Sequence, residues 1–261
     1  MKKAWMIGPV LWFVGLALLL VTWAVLDPAT LVANFDNDGR SPFELATLPV
    51  FAAIVPLVWC CNPFTGSRKR RTVLAALVTL VAVMAIVKEL DLHNMAMHAL
   101  WPDLIGDDGS VLASAGLRKP NGSLLTGTPF KMRFLTNGAV PFGAKAFVSA
   151  YFVLFFGVFA AMLAYFFPRL VKGFFRLHPV AWTMCFFGGS GVMVQICDRL
   201  PAWYRHSQGM PKQCLDDSFA ALCTALEEGG EMMIAAFAIL AILQAHAIYA
   251  NDRPPPEFAE L

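Results

Sequence analysis

TVLAALVTLVAVMAIVKELDLHNM, residues 72–95, carries no charge from Thr72 to Val87 and then sets Lys88, Glu89, Asp91 and His93 in quick succession. A bilayer core takes roughly 20 residues of helix, so 72–92 reads as a transmembrane helix that ends in ionisable residues. Segments 5–26, 45–62, 144–167, 180–198 and 226–249 read the same way. The chain of 261 residues is 58% hydrophobic and 15% charged, whereas an ordinary soluble domain has about 25% charged residues. The expected fold is all-α: a polytopic integral membrane protein, a bundle of about six transmembrane helices forming a single transmembrane domain over 1–261.

Pro49 and Pro56 make 45–62 the least regular expected span, because proline removes a helical hydrogen bond and crowds the preceding turn. Lys2 and Lys3 before the first apolar run resemble a signal peptide. The run is long and lacks a small-x-small cleavage site, so an uncleaved first span is expected. The net charge of +2 and the absence of a glycine-rich phosphate loop offer no basis for a nucleic-acid or nucleotide partner.

Six spans put both termini on one side. That side carries Lys2, Lys3, the SRKRR run at 67–71, Arg169, Lys172 and Arg176 in short connections, where basic residues weigh most in setting topology. Both termini are therefore expected in the cytoplasm, with a bacterial inner membrane as the expected location. Most of the acidic residues then fall on the outer side. The longest connection, 93–143, becomes an outer loop with interfacial segments at its flanks, HNMAMHALWPDLI and FKMRFLTN, and a Gly-, Ser- and Pro-rich middle. The stretch between spans one and two is expected to be a short polar connection, and the proline-rich tail 250–261 to be disordered. An oxidising outer compartment would allow a Cys214–Cys223 disulfide, two free thiols being the alternative. The run Gly188, Gly189, Ser190 and Gly191 in span five is expected to permit close helix packing.

Three outer span ends carry ionisable groups at one expected depth: Glu89, Asp91 and His93; Asp198 and Arg199; Glu227, Glu228 and Glu231. A carboxylate within the bilayer costs about 2.5 kcal/mol or more by insertion scales, so such residues usually have partners. Glu89 and His93 are four apart and Glu228 and Glu231 three apart, so each pair is expected to share a helix face. Glu227 and Glu231 satisfy the rule as well, which leaves the inward acid of the Glu227–Glu228 pair open. Carboxylates with imidazole suit Zn, Mn or Fe. The expected metal ligands are Glu89, His93, Asp198 and Glu231, with Glu228 as general base and Lys131, Arg133 and Lys145 as cations for an anionic headgroup. The competing reading is structural. Lys88, Arg199, Arg133 and Lys145 would neutralise the acids, Glu227 and Glu228 would favour a helix N-terminus, and His93 and His98 would face water at the interface.

This layout resembles that of the alkaline ceramidase and adiponectin-receptor superfamily, seven-span hydrolases whose zinc site uses several histidines. The resemblance is architectural and no residue is carried over: six spans are expected here, with only His93 and His98 near the cluster. The functional expectation is a divalent-metal-dependent membrane enzyme, a hydrolase of a lipid or lipid-linked substrate, with a di-metal oxidase as a variant. A non-catalytic subunit or scaffold among other membrane subunits and an ion-coupled transporter are the alternatives. Against a transporter, the acids gather at one surface and no inverted repeat is visible.

Overall fold

The computed structural model describes residues 4–36, 41–119, 122–209 and 217–249. Among these, 79% are helical and none lies in a strand. The helices are α1 (Ile7–Val25, preceded by a 3-10 turn), α2 (Pro28–Phe35), α3 (Pro42–Cys61), α4 (Arg68–Glu89), α5 (Leu92–Leu100), α6 (Met132–Leu135), α7 (Phe142–Phe175), α8 (Pro179–Ser207) and α9 (Asp217–Tyr249). Six of them, α1, α3, α4, α7, α8 and α9, are long and apolar enough to cross a membrane. The protein is an all-α polytopic membrane protein.

The helices overrun the expected spans. α7, α8 and α9 have 34, 29 and 33 residues, lengths of roughly 44–51 Å against a hydrocarbon core of about 30 Å. Pro168 and Pro201 lie inside α7 and α8 rather than ending them. Much of what reads as connection in PRLVKGFFRLHP and DRLPAWYRHS is therefore helix. α3 likewise runs unbroken through Pro49 and Pro56.

The chain divides into two compact units, Met1–Val83 with Ala164–Leu261, and Met84–Leu163, the boundaries falling inside α4 and α7. In the first unit α9 is the centre: α1, α2, α3 and α8 all pack against it. Every fourth residue of α9 from Ala221 to Ala245 is buried, namely Ala221, Ala225, Gly229, Met233, Phe237, Ala241 and Ala245. Small residues in such a stripe let neighbouring backbones approach. A methyl group at Gly229 would overlap Leu19 of α1, and one at Gly230 would overlap Val194 of α8. By contrast, added side chains at Gly188 and Gly189 would meet nothing. Of the run expected to pack closely, Ser190 is fully buried and a Cβ at Gly191 would touch Ile234 of α9, while the tightest approaches are made by the glycine pair of α9.

Residues 27–44, expected as plain connection, contain α2 and two caps. The Asp27 side chain accepts from Thr30 N–H, with Pro28 opening the helix. The Thr30 hydrogen bonds hold the Asp27 carboxyl below its ordinary range. Ser41 Oγ accepts from Glu44 N–H while Glu44 accepts from Ser41 N–H, a reciprocal capping box that starts α3. Phe35 of α2 stacks on Phe43 of α3 at 4.3 Å, and with Leu31 it joins a core of Leu19, Ala221, Ala225, Met233 and Phe237.

The second unit has its own core: Met97, Leu104, Ile105, Val111, Leu117, Leu125, Phe134, Val140, Ala144 and Val148. The segment expected as loop is irregular yet folded, tied by isolated bridges Ile105–Val111, Val111–Gly127 and Arg118–Leu124. Gly109 takes φ +70° where a side chain would overlap Asn94, so this turn needs glycine twice over. His98 braces the same segment: Nδ1 lies 2.7 Å from the Ile105 carbonyl and Nε2 3.0 Å from Asp107.

Candidate functional site

α9 presents the sequence Glu227-Glu228-Gly229-Gly230-Glu231. With Leu19 seated against Gly229 and Val194 against Gly230, the rotation of α9 about its axis is fixed at this turn, and so are the directions of its acids. Glu228 and Glu231 bring carboxylate oxygens within 4.8 Å of each other. Glu231 is buried, with 9% of its surface exposed. Glu227 lies near enough to Cys197 of α8 and Cys223 of α9 to act electrostatically on both thiols. Spacing alone allowed Glu227 or Glu228 as the partner of Glu231; the helix selects Glu228. Two charged carboxylates at that separation repel by about 3 kcal/mol at an effective dielectric near 20. A bound cation, a shared proton or a cationic neighbour relieves that repulsion.

Asp198, from the same unit, sits on α8 with its carboxylate 4.0 Å from Arg199 Nε and more than half exposed. An exposed pair of this kind contributes little to stability. It is not part of the Glu228–Glu231 pair.

Glu89 and His93 belong to the second unit. α4 ends at Glu89, whose side chain is 5% exposed and lies 3.3 Å from Lys88 Nζ. Asp91 then takes a left-handed conformation, φ +53°, before α5 starts at Leu92. Four-residue spacing therefore does not place Glu89 and His93 on one helix face, because the helix stops between them. The His93 ring stacks on Tyr151 at 5.4 Å and meets the Phe130 edge at 4.7 Å. Its Nε2 is 3.8 Å from Asp91, and its buried Nδ1 makes no hydrogen bond among the described residues. Burial pushes the imidazole below its ordinary pKa, against the opposing pull of Asp91 and the Val87 carbonyl, so the neutral ring, the form that ligates metal, is favoured. Phe130 and Tyr151 carried no signal in the sequence, since nothing in the spacing of scattered aromatics ties them to His93.

The expected headgroup cations lie in this second unit too. Lys131 and Arg133 are exposed at the start of α6, and Lys145 is half-buried in the first turns of α7. Cys223 is buried on α9, while Cys214 and the tail 250–261 lie outside the described residues. The search of known protein families, curated proteins and solved structures finds no match to this chain.

Proposed function

We propose that this protein is a divalent-metal-dependent membrane enzyme, a hydrolase of a lipid or lipid-linked substrate, with its metal on the acidic turn of α9. The observation that carries the reading is the Glu228–Glu231 pair, two carboxylates within 4.8 Å on a membrane-length apolar helix, one of them buried. Glu231 would hold the metal, which would supply a more acidic bound water, and Glu228 would serve as the base beside it. Zn, Mn or Fe fits such oxygen donors joined by imidazole. Glu89, His93 and Asp198 enter as further ligands on sequence grounds alone, and Lys131, Arg133 and Lys145 as cations for the substrate headgroup. The membrane is a bacterial inner membrane, with both termini cytoplasmic and the acidic turn facing the periplasm; reporter fusions after Tyr249 and within 107–119 test that orientation.

Elemental analysis of protein purified in detergent without chelator is the decisive experiment. The expected result is stoichiometric Zn, Mn or Fe that falls at least tenfold in Glu231→Gln. Metal-free protein that takes up none of the three on addition would overturn the reading. One observation favours a second reading, a non-catalytic subunit: the acids share a turn with the two glycines that dock α1 and α8, where they would hold helices in register. In that case Glu231→Gln lowers thermal stability and leaves metal content unchanged.

A further inference from the structure

The other notable charge cluster lies within the first unit, where α4 begins and α7 ends. Arg68, Lys69, Arg70 and Arg71 occupy the first turn of α4, which contains no acid. A helix N-terminus already carries partial positive charge, so four cations there repel both it and each other. Among the described residues, none of Arg68, Lys69, Arg70, Arg71 and Arg169 forms an ion pair with a carboxylate. Two of these guanidiniums nevertheless converge on one ring. Arg70 Cζ lies 5.3 Å and Arg169 Cζ 4.3 Å from the centroid of Tyr165, both within cation–π range. Arg169 also donates to the Tyr165 carbonyl. Like charges gathered this way lack only an anion.

Depth narrows the anion. α7 is longer than the hydrocarbon is thick, so an end of it stands among headgroups. The end with Arg169 and Lys172 is the more basic of the two, the other carrying Lys145 alone. α4 turns from basic to apolar at Thr72, which places Arg70 at a membrane surface as well. We infer that Arg70 and Arg169, held on the Tyr165 ring, form a two-guanidinium clamp for the phosphate of an anionic phospholipid headgroup. Guanidinium forks match phosphate oxygens two at a time, and the aromatic platform restrains both forks while taking only one Arg169 donor, at the Tyr165 carbonyl.

The test is native mass spectrometry of the full chain released from nanodiscs of equal parts phosphatidylglycerol and phosphatidylcholine. The protein should retain phosphatidylglycerol in preference, and Arg70→Gln with Arg169→Gln should reduce that preference at least tenfold, the factor expected for the loss of even one charge-assisted contact. Lys119→Gln, a cation in the other unit, should leave it intact. If the glutamine pair fails to fold, the double variant Arg70→Lys with Arg169→Lys keeps the charge and should still lose part of the preference, because an ammonium has no fork. Inorganic phosphate should not displace the retained lipid. Equal retention of the two lipids, an unchanged preference in both double variants, or displacement by phosphate overturns the assignment.

Discussion

α7 and α9 are nearly equal in length, 34 and 33 residues, and both are apolar enough to cross a membrane. Yet 44% of the apolar window of α9 is buried within the protein, against 6% of that of α7. Residue size accounts for the difference better than hydropathy does. α9 buries a stripe of alanine and glycine with Met233 and Phe237 set into it. α7 turns Val153, Phe155, Phe156, Phe159 and Phe167 outward, where lipid chains receive them as readily as another helix would. Hydropathy identifies a span; the small residues identify the span around which others assemble. α9 also carries a buried carboxylate, Glu231, which a helix enclosed by protein tolerates better than one facing lipid does.

Enlarging one glycine on each helix tests the difference most directly. Gly229→Leu should destabilise the protein by upward of about 3 kcal/mol, since Leu19 already fills the space. Gly157→Leu on α7 should fall within about 0.5 kcal/mol of wild type, because a side chain there meets nothing. Denaturation in detergent measures both, and equal effects would end the distinction.

The second test uses acid at the far end of α9, where Tyr249 stacks on His178 with its hydroxyl 3.3 Å from Nε2. His178 is buried, and burial lowers its pKa to about 4. Below pH 6.5 the unfolded chain takes up a proton that the folded chain refuses until about pH 4. Stability from this residue is therefore complete above pH 6.5 and falls by about 3 kcal/mol as pH drops to 4. His178→Phe should flatten that part of the pH profile of unfolding; an unchanged slope would show that His178 is not its source.

Metal content sharpens the contrast at the level of ligands. Glu231→Gln is expected to cost about tenfold in bound metal, as a lost charged ligand costs on the order of 1.4 kcal/mol or more. Glu89→Gln and His93→Ala are expected to reduce it to a similar degree if the full sequence-derived ligand set holds. If only Glu231→Gln does so, the ligands are confined to the unit built around α9. The smallest effect concerns a polar contact on the α8–α9 face, where Thr183 Oγ1 donates to Gln244 Oε1 at 2.8 Å, both residues buried. Thr183→Val should cost about 1 kcal/mol, measured by the same denaturation.

The six spans are legible because a bilayer imposes a length and a composition that few other structures need. The helix overruns are not, because Arg169, Pro201 and Trp203 look like loop residues until the chain is seen to stay helical beyond the hydrocarbon. α2 could have been read: Asp27-Pro28-Ala29-Thr30 and Ser41-Pro42-Phe43-Glu44 are both helix-start signals. The core of residues 97–148 could not, since Leu104, Ile105, Val111, Leu117 and Leu125 follow no helical or strand period and meet only through turns. At the candidate site, the spacing of Glu228 and Glu231 predicts their common face correctly because α9 is continuous. The same arithmetic fails for Glu89 and His93 at Asp91, a non-glycine residue in the left-handed region that spacing rules do not anticipate.

The prolines of α3 have a mechanical consequence. Proline cannot donate to the carbonyl four residues earlier, so Pro49 and Pro56 leave the carbonyls of Leu45 and Ala52 without their helical partners. Seven residues are almost two whole turns, with a drift of only about 20°, so both openings lie on one side of the rod. Bends at the two points would therefore add into a single arc instead of cancelling into a zigzag. Among the helices packed on α9, α3 thus has two weakened points on one side, which would make it yield most readily in one plane.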